Sequence, residues 1–156
     1  MAVLLVRHAK AGDRNRWEDP DDLRPLTPPG EAQAEALVGA LAGFDIDRVL
    51  SSPYLRCTQT VAPLATARGL AVEPCDDLAE GEGRAGVALV RSLLGEHSLL
   101  GKHSLVSERG HTVLCTHGDV IEEVLDALGV RREGETRKGA MWVLGGGEPR
   151  LVPPPA

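Results

Sequence analysis

The sequence predicts an α/β fold, a three-layer α/β/α sandwich around a mostly parallel central sheet, and three observations carry that prediction. Apolar runs of strand length alternate with amphipathic segments of helix length along the chain. The first run, Val3 to Val6, is uninterrupted, as in a strand buried on both faces. Three strand segments are followed at once by polar residues, and in an open parallel sheet ligands bind beyond the carboxyl ends of the strands. With 156 residues, 42% hydrophobic and 26% charged, the chain suits a single core. One domain is expected over residues 1–152, followed by a frayed Pro-rich tail at 153–156.

The elements follow in order. After the first strand, Thr27-Pro28-Pro29-Gly30-Glu31 marks a helix start, with Thr27 as cap and proline where no N–H is needed. Ala34, Leu37, Val38 and Leu41 supply its apolar stripe, and Gly43 is expected to close it. Val49-Leu50 is a short strand that feeds a helix capped by Ser52, with Pro53 at its first position. That helix runs to about Arg68 and ends at Gly69, and Pro63 is expected to kink or interrupt it. Leu70 to Glu73 reads as a strand, Val87 to Leu94 as a helix and 95–110 as a long loop. Val113-Leu114-Cys115 is the second clear strand, and Asp119 can cap a helix that stops at Gly129. Met141 to Leu144, the glycines 145–147 and Arg150 to Val152 form a closing hairpin.

Composition narrows the function. The 17 basic and 23 acidic residues give a net charge of −6, against a broad grip on nucleic acid or anionic lipid, so any anion site must be local. Trp17, Phe44, Tyr54 and Trp142 are too few for a base-stacking platform. The three cysteines show no zinc spacing and suit a reducing compartment, and no stretch reads as a signal peptide or a membrane span, so the cytoplasm is the expected location. His97, His103 and His111 lack the short-spaced carboxylate or thiol partners of a metal cluster, and no cofactor is expected. With no heptad seam, a monomer or weak homodimer is expected.

The chemistry gathers at the strand ends. Arg7-His8, Ser51-Ser52 and Thr116-His117-Gly118-Asp119 follow three parallel strands, and Arg56 lies near the start of the helix after Ser52. Two guanidiniums and two imidazoles suit a phosphoryl group, because arginine's planar fork offers paired hydrogen bonds to phosphate oxygens. A neutral histidine can attack phosphorus and carry it as a phosphoramidate, which makes His8 a candidate nucleophile. The leaving oxygen then needs a proton, and Asp76, Asp77, Glu80 and Glu82 are all candidates by position. Lys10, Arg24 and Ser52 are candidates for the rim of the pocket.

These residues resemble the histidine phosphatase superfamily, also called phosphoglycerate mutase-like. Leu5-Val6-Arg7-His8-Ala9 is similar to its Arg-His-Gly signature, and Ser51 to Thr60 to its Ser-Ser-Pro-x-x-Arg-x-x-Gln-Thr segment. Thr116-His117-Gly118 is similar to the motif carrying its second histidine. The resemblance implies a phosphoglycerate mutase-like fold, His8 as the phosphorylated nucleophile, Arg7, Arg56 and His117 as the phosphate pocket, Glu80 as proton donor, and no metal. The short length, the absence of a cap insertion before Glu80 and Arg24-Pro25-Leu26-Thr27 with Gly30 are similar to the phosphohistidine phosphatase (SixA) branch. Arg137-Lys138-Gly139 before Trp142-Val143-Leu144 is similar to the phosphatase-like domain joined to actinobacterial Nudix (MutT-type) hydrolases.

The expected activity is therefore a metal-independent phosphohydrolase acting through phosphohistidine, on a phosphohistidine protein or a small phosphate ester. The competing expectation is a module that binds a phosphorylated ligand or partner on the same fold without turnover. A serine hydrolase is excluded by the absence of a Gly-x-Ser-x-Gly elbow.

Overall fold

The computed structural model describes residues 1–95 and 110–155. The strands are β1 (Val3–Arg7), β2 (Ile46–Ser51), β3 (Val72–Pro74), β4 (His111–Thr116), β5 (Met141–Leu144) and β6 (Arg150–Val152). The helices are α1 (Pro28–Ala40), α2 (Leu55–Arg68), α3 (Gly83–Leu94) and α4 (Gly118–Ala127), with short 3-10 turns at Asp21–Leu23 and Asp76–Leu78. The sheet runs β3-β2-β4-β1-β5-β6. Its first four strands are mutually parallel, and β5 and β6 form an antiparallel hairpin on the edge of β1.

The alternation of side chains along β1 explains the three layers. Leu4 and Val6 pack with Leu37 and Leu41 from α1 and its end and with Cys57, Val61 and Leu64 of α2. Val3 and Leu5 point the other way, onto Val90 of α3 and Val120, Ile121, Val124 and Leu125 of α4. An uninterrupted apolar strand is what a sheet covered on both faces requires. No helix among the described residues is long and apolar enough to cross a membrane.

Five local expectations change. Helix α1 ends at Ala40 with a cap at Leu41, before Gly43. Helix α2 begins at Leu55, because the Ser52 hydroxyl turns inward to His117 and the chain stays extended through Tyr54. Pro63 lies within α2 without ending it, and Gly69, at φ 67°, closes the helix. Helix α3 begins at Gly83, four residues before the expected start; Gly83 and Gly86 weaken its helical signal. The glycines serve packing, since a Cβ at Gly86 would lie 2.6 Å from Val120 Cγ1 on α4. The cap position of α4 is His117, and Asp119 sits in the first turn, where its carboxylate accepts the Gly81 N–H at 2.8 Å. His97 and His103 lie outside the described residues.

Candidate functional site

The carboxyl ends of β1 to β4 share one edge, and backbone hydrogen bonds carry the sheet ladder slightly past them. His8 N–H donates to Thr116 C=O at 3.0 Å, Ser52 N–H to Cys115 C=O at 2.9 Å and Cys75 N–H to Ser51 C=O at 2.8 Å. Gln59 and Thr60 of α2 hold the loops above this floor. The Ala9 N–H donates to Thr60 Oγ1 at 2.9 Å and the Leu26 N–H to Gln59 Oε1 at 2.8 Å.

The two histidines meet edge to face, with ring centroids 5.5 Å apart. His8 Nδ1 lies 2.8 Å from the Ala9 carbonyl oxygen, which can only accept, so Nδ1 carries the proton and Nε2 keeps the lone pair. Burial, with His117, Arg56 and Arg7 nearby, outweighs that hydrogen bond and lowers the His8 pKa to about 3. His8 is thus neutral throughout the physiological range. His117 is held by its other face: Nε2 lies 2.9 Å from Ser52 Oγ and 3.6 Å from Cys57 Sγ, while Nδ1 is buried without a protein partner. Ser52 is therefore no rim residue; it is fully buried and orients His117.

The His8 shift has a stability consequence. Its folded pKa lies below the ordinary 6.5, so the unfolded chain binds the extra proton first as pH falls. The stability contributed by neutral His8 is complete above about pH 6.5 and is lost toward pH 3. Urea midpoints measured between pH 7 and 4 should fall more steeply for the wild type than for His8→Asn. Parallel curves would show that His8 titrates alike in both states.

Arg7 extends from the end of β1 and donates from Nη1 to the Thr136 C=O at 2.6 Å, with Glu135 at 4.0 Å. Thr136 is itself placed by β5, whose Trp142 Nε1–H donates to Thr136 Oγ1 at 2.9 Å. On its other side Arg7 lies against Gly118, where a Cβ would be 2.8 Å from Arg7 Cζ. Only glycine lets the start of α4 approach the guanidinium this closely.

Arg56 is completely buried and serves two carboxylates. Its Nη2 donates to Asp21 Oδ2 at 3.0 Å and to Glu80 Oε1 at 3.3 Å, and its Nη1 to the Asp21 C=O at 2.9 Å. Asp21 also accepts from Arg24 Nε at 3.0 Å, and Glu80 from Arg14 Nη2 at 2.8 Å. Burial pushes the Asp21 carboxyl up, but the hydrogen bonds and charges of Arg24 and Arg56 outweigh it and hold it below its ordinary value. Arg24 is buried as well, with Nη1 donating to the Gly12 C=O.

A cleft of about 590 Å³ opens over this floor and brings together Arg7, His8, Glu80 and His117, with Arg14 and Arg24 at one wall. Arg56 lies behind Glu80 and Asp21 and does not line the cleft. Lys10 faces a neighbouring groove. Among the acidic candidates only Glu80 lines the cleft, where its side chain is 30% exposed. Sequence reasoning missed Asp21, whose signal was its position three residues before Arg24. It also missed the cleft positions of Glu122, Glu135 and Lys138, which lie beyond the strand-end segments. Among the described residues no group of three or more His, Cys, Asp or Glu side chains is placed to hold a metal ion.

Comparisons with known proteins bear on the family and the fold. The model of the histidine phosphatase superfamily, branch 1, matches residues 3–85, just over half of the chain. The 8-oxo-(d)GTP phosphatase of Mycolicibacterium smegmatis is 35% identical over 155 residues, covering 96% of this chain and 46% of its own. The chain thus spans about half the length of that curated relative. Among solved structures, the protein histidine phosphatase SixA complexed with tungstate has a TM-score of 0.72 at 21% identity, over 97% of this chain and 94% of that one. Mycobacterial glucosyl-3-phosphoglycerate phosphatase with inorganic phosphate has a TM-score of 0.67 at 18% identity, over 99% and 97%. At these identities the likeness to solved structures shows the fold.

Proposed function

Because the chain belongs to the histidine phosphatase superfamily, we propose that it is a phosphohydrolase that passes a phosphoryl group from a small phosphorylated molecule to His8 and then to water. The observation that carries this reading is the His8 ring, whose Nδ1–H is committed to the Ala9 carbonyl and whose Nε2 keeps its lone pair beside Arg7 and His117. In the first step Nε2 attacks phosphorus and the bond from phosphorus to the leaving oxygen breaks. A protonated Glu80 gives its proton to that oxygen, and the alcohol departs. In the second step the Glu80 carboxylate takes a proton from water as the water oxygen attacks phosphorus. The N–P bond breaks, inorganic phosphate leaves and His8 regains its lone pair.

The pocket supplies charge and fixed donors rather than covalent chemistry. Arg7 and His117 meet the phosphoryl oxygens directly. Arg56 joins them when the incoming dianion displaces the carboxylates from its guanidinium.

A small ester or anhydride is favoured over a phosphohistidine protein on two grounds. Glu80 lines the cleft, and a poorly basic ester oxygen needs a donor, whereas a phosphoramidate nitrogen is basic enough to be protonated by solvent or substrate. The relative that aligns with nearly the whole chain is named for a nucleoside triphosphate. Glu80→Gln should therefore slow hydrolysis of alkyl phosphates by about tenfold or more beyond its effect on aryl phosphates with good leaving groups, within the range for general acid catalysis. Equal losses on both would remove Glu80 from the proton path.

The direct test is rapid-quench mass spectrometry with an activated aryl phosphate. A transient acid-labile phosphoryl group on His8, absent in His8→Ala, is expected. Phosphate release without an adduct would mean direct attack by water. Binding with neither adduct nor release would make the site a phosphate-binding module.

A further inference from the structure

A second groove, of about 780 Å³, runs beside the catalytic cleft, and Arg7, Glu135 and Lys138 line both. Its other lining includes Lys10, Arg137 and the uncharged surfaces of Ala32, Pro29 and Pro153–155. The cations of the cleft and of the groove are treated differently. On the cleft side Arg14 and Arg24 at the wall, and Arg56 behind it, all pair with Asp21 or Glu80. In the groove the side chains of Lys10, Arg137 and Lys138 have no hydrogen-bond or ion-pair partner among the described residues. Glu135 is the one carboxylate among the groove's lining residues.

In a chain of net charge −6, three unpaired cations converging on one groove are an exception to the average surface. Their backbones are also tied together. The Lys10 N–H donates to Gln33 Oε1 at 2.9 Å, and Gln33 Nε2 donates to the Lys138 C=O at 3.4 Å. One amide of α1 thus bridges two segments more than a hundred residues apart and presents both ammonium groups to the same space. Burial, followed by the charges of Arg7, Arg24, Arg14 and Arg56, lowers the Lys138 pKa.

We propose that this groove is a second anion subsite, and that the preferred substrate carries a second phosphoryl group on its leaving portion, as a nucleoside diphosphate does. In the productive complex the scissile phosphoryl group lies over His8. The second phosphoryl group crosses the junction at Arg7 and Lys138 toward Lys10 and Arg137, and the uncharged body of the leaving group rests against the prolines. What the subsite selects rests on the hydrolase reading; that it binds an anion does not.

The test uses probes with no bond that the enzyme can cut. Calorimetric titration of the full chain with methylenediphosphonate and with methylphosphonate should show the diphosphonate binding about tenfold more tightly or better. In the Lys10→Ala/Arg137→Ala double variant, whose changes are at exposed side chains, the difference should shrink to about twofold. Equal affinities in the wild type would overturn the proposal, as would a double variant that keeps the tenfold difference or weakens both probes equally. Because neither probe is turned over, this outcome is independent of whether a phosphoryl group is trapped on His8.

Discussion

The His8→Ala variant is expected to release no phosphate above the uncatalysed rate, a loss on the order of 10⁵-fold or more, the scale seen when a nucleophile that acts as a unit with its neighbours is removed. The fold should survive. His8 lies at the mouth of the sheet edge rather than in either apolar layer, and truncation leaves the Ala9 carbonyl facing the cleft. Arg7 and His117 remain, so millimolar inorganic phosphate should still raise the melting temperature of the variant, as any ligand of the native state does. A folded His8→Ala protein with activity within tenfold of the wild type would remove the phosphohistidine intermediate from the mechanism.

Arg56→Ala should lower kcat/KM by about a hundredfold to a thousandfold, the usual cost of losing a preorganised donor to transition-state charge. It should also lower stability. Asp21 and Glu80 meet on this guanidinium, and without it the two carboxylates lose their one fully buried cation and keep only the more exposed Arg14 between them. Arg56→Lys separates the two effects, since it keeps the charge and loses the planar fork. A stable Arg56→Lys protein that remains severely slowed would place the catalytic contribution in the paired hydrogen bonds. Full kcat with a raised KM in either variant would make Arg56 a uniform binder instead.

The parallel core and the candidate site at its edge were legible because both depend on short-range pattern. Val3–Val6 and Val113–Cys115 are apolar without a break because helices cover both faces, and Arg7, His8 and His117 follow directly from the ends of those strands. Ser52 was read as a helix cap and a rim residue because serine before proline commonly caps. In the fold its hydroxyl serves His117, 65 residues away, a contact no local spacing encodes. Asp21 was hidden for the same reason: its partner Arg56 comes from another element, 35 residues away. Lys10 was a candidate for the rim, but the chain turns after Ala9 and carries it into the neighbouring groove. The strand order β3-β2-β4-β1-β5-β6 was beyond the pattern, since an apolar run states that a strand is covered, not which strands flank it.

The backbone hydrogen bonds that continue the ladder past the strand ends also assign the site two tempos. The amides of His8, Ser52 and Cys75 donate across neighbouring strands, so their exchange with deuterated solvent requires the cooperative opening that frees the sheet itself. The walls are fastened differently, Glu80 by side-chain pairs to Arg14 and Arg56, and its neighbour Gly81 to Asp119. Such contacts yield in small local fluctuations while the floor stays closed. On the proposed reaction, substrate would enter and phosphate leave through the breathing of the walls, while the closed floor would keep His8 aimed through every cycle.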